Sequence, residues 1–504
     1  MRLPFPESIP IRYAVVFAGL LSAAQLLQGT PASFSLYSFL FIVIATLAFN
    51  VAGGFTRPSG GYVFFYAVLA IILGLFWKAF LGEPADSNLR APLLTMQASV
   101  GGVTGMLFAA YVSRKLTPRR AFLENMIRGK DMRSAALGCM IVGVIMSFVL
   151  SVIPYSSGSF LSALAQLDRF LPVAMILAVI YQIRKSGGTS SMNAIVWISG
   201  GVIFLSGLFG FSKQGMFTPP LCWLAAAASQ RYKVSGYQIA GFILLMGSMA
   251  YYLVPYSQYG RSFMANNNLN LEKSEIIEAN IGTSIHFLSD LGDVRQKYEQ
   301  MAVAVRSDVD PFYFDTPQGL FDRLQMISMD DALVNLTEQN GSFGFLPVIM
   351  DFENLIPHFL WPGKPTVHFG NLYAHELGML TDEDITTGIS FSPIGEAFHL
   401  GRWIGIFLVM PALWIMLFTL IDSLCGDVRK SPWGLLAIVL FAHIAPEGGI
   451  DGPIYMLGYG AAGIIFAALA AAYVMPVLGS IFAGGGGSVL RRLPATRPPQ
   501  ITER

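Results

Sequence analysis

Residues 33–53 read SFSLYSFLFIVIATLAFNVAG, a run of 21 residues that contains no charged side chain. A helix needs about 17–25 predominantly apolar residues to cross the roughly 30 Å hydrocarbon core of a bilayer, so this run predicts a transmembrane helix. Comparable runs recur along most of the 504-residue chain. We predict about twelve spans, near residues 11–29, 33–53, 61–82, 92–113, 135–155, 170–184, 192–211, 215–230, 237–257, 402–424, 432–446 and 453–482. The predicted fold class is an all-α polytopic membrane protein.

The composition favours the same fold class. Hydrophobic residues make up 54% of the chain and charged residues 12%, whereas soluble domains usually carry about a quarter of charged residues. The three cysteines lie in apolar runs or beside a basic loop, so a disulfide framework is not expected. We divide the chain into an N-terminal membrane bundle of about nine helices, a large loop, the C-terminal membrane helices and a flexible tail, at residues 1–257, 258–402, 403–483 and 484–504.

Charge is distributed unequally between the large loop and the rest of the chain. Residues 258–402 carry 8 Lys and Arg against 20 Asp and Glu, and the remainder carries 24 against 11. Short cytoplasmic loops are enriched in Lys and Arg, and residues 114–134 carry seven of them. Counting spans outward from that loop places both termini in the cytoplasm and the large loop outside. Within the loop, residues 271–306 and 316–337 have the pattern of amphipathic helices that lie over the outer face.

Two cations stand where a predicted span meets the outer face. Lys213 lies in the short connection between the seventh and eighth spans, and Arg261 follows Gly260 at the end of the ninth. A lysine at this level can anchor a helix end by snorkelling, and an arginine can contact a lipid headgroup. Both side chains also suit the oxygens of a phosphate group. The sequence leaves these interpretations open.

A polar, turn-rich stretch from Asp351 to Arg402 precedes the tenth predicted span and holds four of the six histidines. It presents several features in order, namely Trp361-Pro-Gly-Lys-Pro365, Asn371, Thr386-Thr387, Gly395-Glu396 and Gly401. This order resembles the region before a late membrane helix in oligosaccharide repeat-unit polymerases, the Wzy-type O-antigen polymerases. With the helix architecture, the resemblance covers roughly the last half of the chain.

The resemblance implies a polyprenol-dependent, metal-independent glycosyltransferase that polymerises repeat units at the periplasmic face of the bacterial inner membrane. Its substrate would be an oligosaccharide linked to undecaprenyl pyrophosphate, with membrane lipids and a chain-length regulator protein as further partners. No cofactor and no nucleic acid are expected. The residues themselves also argue against a metal site. His375-Glu376 begins like a zinc-protease helix, but Met379 stands where that motif needs histidine. The spacing of the histidines matches no standard ligand set.

Transfer from a lipid pyrophosphate needs cations that stabilise the leaving group and a base that deprotonates the attacking sugar hydroxyl. Our candidates for the cations are Lys213, Arg261 and Lys364. Our candidates for the base are Glu396, His368, His399 and Asp351. Weaker candidates, for contacts with the glycan, are Arg323, Asn371, Thr387 and Glu447.

Two other functions are compatible with this pattern. An O-antigen ligase would share the outer loop and its cations but would hand the glycan to the lipid A core. A non-enzymatic exporter of lipid-linked oligosaccharide would need a charged path through the helix bundle. The midplanes of the predicted spans are almost free of ionisable residues, which disfavours the exporter.

Overall fold

The computed structural model describes residues 1–127, 129, 131–153, 159–267, 273–305, 311–361, 363–364, 367–380, 384 and 387–482. The predicted flexible tail at 484–504 lies outside these residues, as do Pro365 and Thr386 of the polar stretch. The described part of the chain is helical, with one isolated β-bridge that joins Arg2 to Lys233.

The first ten helices occupy the N-terminal half of the chain. They are α1 (Ile11–Leu27), α2 (Ala32–Ala52), α3 (Pro58–Leu81), α4 (Pro92–Leu116), α5 (Met132–Val152), α6 (Phe160–Leu167), α7 (Phe170–Lys185), α8 (Ala194–Phe209), α9 (Lys213–Ser229) and α10 (Gly236–Met264). Nine more follow: α11 (Lys273–Ser289), α12 (Leu291–Val305), α13 (Leu320–Leu324), α14 (Ile327–Asn340), α15 (Leu346–Asn354), α16 (Phe369–Glu376), α17 (Pro393–Cys425), α18 (Trp433–Glu447) and α19 (Asp451–Phe482).

Among the described residues, seven helices are long and apolar enough to cross a membrane: α2, α3, α4, α5, α10, α17 and α19. Helices α1, α8 and α18 are apolar but shorter. This confirms a helical membrane protein. Each of the twelve predicted spans coincides with a helix, including α7 and α9, but the number of helices that cross the membrane stays a prediction.

Small residues allow the membrane helices to approach closely. A Cβ added to Gly138 of α5 would stand 2.2 Å from the carbonyl oxygen of Met475 in α19. A Cβ added to Gly479 of α19 would stand 1.9 Å from the carbonyl oxygen of Ser134 in α5. Such contacts are typical of helix pairs in membranes, where van der Waals packing drives association. They hold α19 against α5 near the end of the chain.

Helix α17 begins at Pro393, before the residue at which the tenth span was predicted to start. The Ser392 hydroxyl caps it by accepting hydrogen bonds from the backbone N–H groups of Ile394 and Gly395, each at 3.2 Å. Proline is favoured in the first turn because its missing N–H would be unpaired there. The helix then kinks at Gly401 and Arg402, where Arg402 has a φ of 51°. Glu396 and His399 were assigned to the large loop, and they lie instead on this helix.

The segment between α10 and α17 contains several separate helices among its described residues. The stretch 271–306 forms α11 and α12, in agreement with the predicted amphipathic helices. The stretch 316–337 forms two helices, α13 and α14, because the chain is extended at Gln325 between them. The backbone N–H of Met326 donates a hydrogen bond of 2.8 Å to the carbonyl oxygen of Ala70 in α3. This contact holds the start of α14 against α3.

Candidate functional site

A cavity of about 780 Å³ lies between α15, α16, the first turns of α17 and the turn that joins α18 to α19. Five residues predicted from the sequence line it, namely Asp351, Lys364, His368, Glu396 and Glu447. Asp451 and Arg169 also line it, together with His358 and His443. We call it the acidic cavity, because four carboxylates and two cationic side chains line it.

Glu396 is fixed in this cavity by the turn between α18 and α19. One of its carboxylate oxygens accepts a hydrogen bond of 2.6 Å from the backbone N–H of Ile450. The preceding residue, Gly449, has a φ of 53°, and a Cβ at this position would stand 2.2 Å from the same oxygen. Only glycine adopts this conformation readily and leaves room for the carboxylate. The Gly448-Gly449 pair therefore sets the position of Glu396.

Asp351 reaches the cavity from α15 and is only 6% exposed. Its Oδ2 atom has no hydrogen-bond partner among the described residues. Burial, together with the charge of Asp451, raises the pKa of Asp351 to about 7. A carboxylate with a pKa near neutrality and an unengaged oxygen is suited to accept a proton at physiological pH.

Tyr373 of α16 was not singled out from the sequence. It is 1% exposed and lines the acidic cavity. Its hydroxyl lies near the Glu396 carboxylate but has no partner of hydrogen-bond geometry among the described residues. Burial and the charge of Glu396 raise the pKa of Tyr373, so its phenol stays protonated and can donate a hydrogen bond to a ligand. Tyr373 lies in a short helix with no sequence motif around it, so only its position in the fold identifies it as a candidate site residue.

His399 is not among the residues that line the acidic cavity. Its Nδ1 atom lies 3.0 Å from the Thr337 hydroxyl, and its Nε2 atom lies 3.4 Å from a carboxylate oxygen of Glu376. The ring of Tyr373 packs edge-on against the imidazole, with 4.9 Å between ring centroids. His399 thus lies behind Tyr373, because it projects from α17 toward α14 and α16.

The predicted cation Lys364 and the predicted glycan contacts Asn371 and Thr387 are engaged in hydrogen bonds with other groups of the protein itself. Lys364 lines the cavity, but its ammonium donates to the carbonyl oxygens of Asn354 and Ile356 at 3.0 and 2.6 Å, so it caps the end of α15. Asn371 donates to the carbonyl oxygens of Asp384 and Thr387 at 2.9 and 2.8 Å, and neither Asn371 nor Thr387 lines the cavity. The bonds from Asn371 hold Asp384 and Thr387 next to α16.

A second cavity, of about 1310 Å³, lies between α5, α7, α8, α9 and α18, and apolar side chains form most of its wall. We call it the apolar cavity. It shares one wall with the acidic cavity, formed by Arg169, Gln214, Leu440, His443 and Glu447. Lys213 and Arg323 line the apolar cavity beside this shared wall.

The predicted cations Lys213 and Arg261 come together with Arg323 around Glu447. The Lys213 ammonium lies 3.5 Å from the Glu447 carboxylate. The charges of Arg261 and Arg323 act on Lys213 and on one another. Arg261 is exposed and lines neither cavity, so it stands beside the site and outside its walls. Lys213, Arg261 and Arg323, which are far apart in the sequence, therefore form one cationic group beside the shared wall.

Arg169 is a further cation that sequence analysis missed. It precedes α7 and lines both cavities. Its guanidinium donates to the Tyr455 hydroxyl at 2.6 Å and to the Asp168 carbonyl oxygen at 2.8 Å, and its buried Nε atom has no partner among the described residues. An arginine directly before an apolar span reads as an anchor at the membrane edge, although the predicted topology places it on the same side as Lys213.

No group of three or more His, Cys, Asp or Glu in the described part of the chain has a geometry that could hold a metal ion. The arrangement supports proton transfer at buried carboxylates and anion binding at the cationic group. Comparison of the chain with protein-family models, with curated proteins and with solved structures gave no match.

Proposed function

We propose that this chain polymerises lipid-linked oligosaccharide repeat units by glycosyl transfer from undecaprenyl pyrophosphate at the periplasmic face of a bacterial inner membrane. The chain would cross the membrane twelve times, with both termini in the cytoplasm and the segment from residue 258 to α17 outside. The observation that supports the proposal best is the shared wall between the two cavities. A lipid-linked sugar has an apolar tail, a pyrophosphate and a polar glycan, and the two cavities and the cationic group offer a place for each.

The donor's pyrophosphate would lie at the shared wall, against Lys213, Arg323 and Arg169. Arg169 lines both cavities, and Lys213 and Arg323 line the apolar cavity beside the shared wall, where the lipid tail would meet the sugar. Cations that are already held in place stabilise charge that develops on a leaving group without further reorganisation. Arg169 has an unengaged N–H group for this purpose. Arg261 would contribute from outside the cavity wall.

The acceptor sugar would occupy the acidic cavity. Its hydroxyl oxygen would attack the anomeric carbon of the donor, the bond from that carbon to the pyrophosphate oxygen would break, and Asp351 would take the hydroxyl proton. Glu396, held by the Ile450 amide, and the Tyr373 phenol would bind neighbouring hydroxyl groups. General-base catalysis of this kind contributes about 10²–10⁴-fold to a rate. No cofactor is required by these steps.

Deletion of the gene in its source bacterium tests the proposal. A polymerase defect is expected to remove long-chain surface polysaccharide and to leave single repeat units on undecaprenyl pyrophosphate at the periplasmic face. Complementation with the intact chain should restore the long chains. Accumulation of finished polymer on the lipid would instead indicate a ligase. Accumulation of the lipid-linked oligosaccharide at the cytoplasmic face would indicate an exporter, and unchanged polysaccharide would refute all three functions.

A further inference from the structure

In the segment from Phe343 to Trp361, which we call the rim segment, the exposed residues are all apolar, and Glu353, Asn354 and His358 are half-buried. Its exposed residues are Leu346, Ile349, Phe352, Ile356, Phe359, Leu360 and Trp361. The end of the neighbouring outer helix α14 exposes Glu338, Gln339 and Asn340 instead. Two outer helices that are adjacent in the chain therefore face different surroundings.

Helix α15 has a different role on each side. Leu346, Ile349 and Phe352 recur every third residue and are exposed by 61%, 57% and 38%. Residues with this spacing share one side of an α-helix, which turns by about 100° per residue. Asp351 projects from the other side and lines the acidic cavity. The helix thus separates an apolar outer surface from the polar cavity.

Both ends of the rim segment pack on helices that are long and apolar enough to cross the membrane. At the first end, the backbone N–H groups of Phe343 and Gly344 donate 2.9 Å to the carbonyl oxygens of His399 and Leu400 in α17. At the second end, Leu355 packs on Gly458 of α19, where an added Cβ would stand 2.5 Å from a Leu355 methyl group. Gly458 lies about two helical turns after the start of α19, so the rim segment lies beside the first turns of that helix.

The exposed surface of the rim segment continues into the exposed surface of α17. Trp403 and Ile404 follow the kink of α17 directly and are exposed by 39% and 59%. Phe407 and Leu408, one turn further, are exposed by 55% and 67%. Apolar side chains on the outside of a membrane-crossing helix face lipid. We therefore expect lipid to cover the adjoining apolar surface of the rim segment as well.

We propose that the rim segment lies in the membrane interface, on the side of the membrane where the acidic cavity lies. Its apolar side chains would then lie among phospholipid acyl chains close to the headgroups. Amphipathic helices of this kind bury their apolar face about 5–10 Å into the boundary between headgroups and acyl chains. The acidic cavity then opens at the membrane surface, and the bilayer supports the helix that carries Asp351. This inference concerns contact with lipid and does not depend on the reaction catalysed.

Lipid contact can be measured with a fluorophore on single cysteines in the full-length protein, reconstituted in phosphatidylcholine nanodiscs. The three native cysteines are free and buried, so they are replaced by alanine in the background protein. Ile349→Cys reports on the rim segment, Phe407→Cys is the lipid-facing reference on α17, and Gln296→Cys on exposed α12 is the matched control in water. Each is labelled with the same environment-sensitive dye.

We expect the dye at residue 349 to be quenched by phospholipid that carries a doxyl group near its headgroup, and less by phospholipid with the group deep in its acyl chain. Aqueous iodide should quench the dye at residue 296 more strongly than the dye at residue 349. Quenching at 349 by iodide without quenching by either lipid would show that the surface faces water. Protection from both quenchers would show that protein covers it. Either result would overturn the proposal, and a label at Leu360→Cys checks it at a second position.

Discussion

The substitution Asp351→Asn tests whether this buried carboxylate is the base. Asp351 is 6% exposed, and burial together with the charge of Asp451 raises its pKa to about 7. Because the base must be ionised, the wild-type rate should rise with pH and level off above about 7. Asparagine keeps the shape of the side chain but cannot accept the proton. We therefore expect a loss of about 10²-fold or more at pH 8, the lower end of what general bases contribute.

The same change should raise stability at high pH. A carboxyl group whose pKa is higher in the folded protein than the unperturbed 3.8 favours folding most when it is protonated. Its contribution to stability is present at low pH and is lost as pH rises through the window from about 4 to about 7. Raising the pKa of this carboxyl from 3.8 to about 7 lowers the stability of the folded protein by at most about 4 kcal/mol at pH 8. Asp351→Asn carries no charge, so the variant should be the more stable protein at pH 8 and should lose this advantage as the pH falls to about 4.

Both effects can be measured on the same preparations. Initial rates of chain extension between pH 5.5 and 8.5 give the pH profile. A thiol-reactive dye follows thermal unfolding, because Cys139, Cys222 and Cys425 are buried in the folded chain. Glu353→Gln is the matched control, since it removes a carboxylate from the same helix but not from the cavity lining. A wild-type rate for Asp351→Asn at pH 8 would refute Asp351 as the base and leave Glu396 or His368 in that role.

Three further predictions address the leaving group, metal and topology. Arg169→Ala and Arg261→Ala should each lower the polymerisation rate by about 30-fold or more. Arg261→Lys should keep only a fraction of the activity, because an ammonium cannot engage two phosphate oxygens as a guanidinium does. Chain-length profiles normalised to membrane protein level check this, and normal profiles for both alanine variants would place the pyrophosphate elsewhere. Activity should survive EDTA, and loss of activity that zinc or magnesium restores would contradict the metal-free mechanism. A phosphatase reporter fused after residue 310 should be active in the periplasm, and activity of a cytoplasmic reporter at that position would reverse the topology.

The candidate site shows where sequence reasoning succeeds and where it stops. Asp351, His368 and Glu396 were selected because they lie in one polar stretch between apolar runs, and all three line the same cavity. His399 was selected on the same grounds, but it contacts Thr337 and lies behind Tyr373, so it does not line the cavity. A stretch of polar residues identifies a region, whereas the direction of each side chain depends on the helices that pack around it.

Lys364 and Arg169 illustrate the same limit from opposite directions. Lys364 has a conspicuous setting between Trp361-Pro-Gly and a following proline, yet its ammonium is engaged by two carbonyl oxygens at the end of α15. Arg169 has no motif around it and lies at both cavities. The charge of a residue is visible in the sequence, but the groups that satisfy it come from distant parts of the chain.

The sequence by itself determined that this is a helical membrane protein. In lipid, the backbone N–H and C=O groups of such long uncharged runs find their hydrogen-bond partners within a helix. The sequence also predicted a helix at each of the twelve apolar runs, but not the short helices α6, α15 and α16, nor the extension of α10 to Met264. At α17 the capping Ser392 and Pro393 extend the helix into the polar stretch. Only the tertiary structure decided that an acidic and an apolar cavity share a wall, and that a glycine turn between α18 and α19 holds Glu396. These features join residues separated by tens to hundreds of positions, and their contacts exist only when the helices are packed.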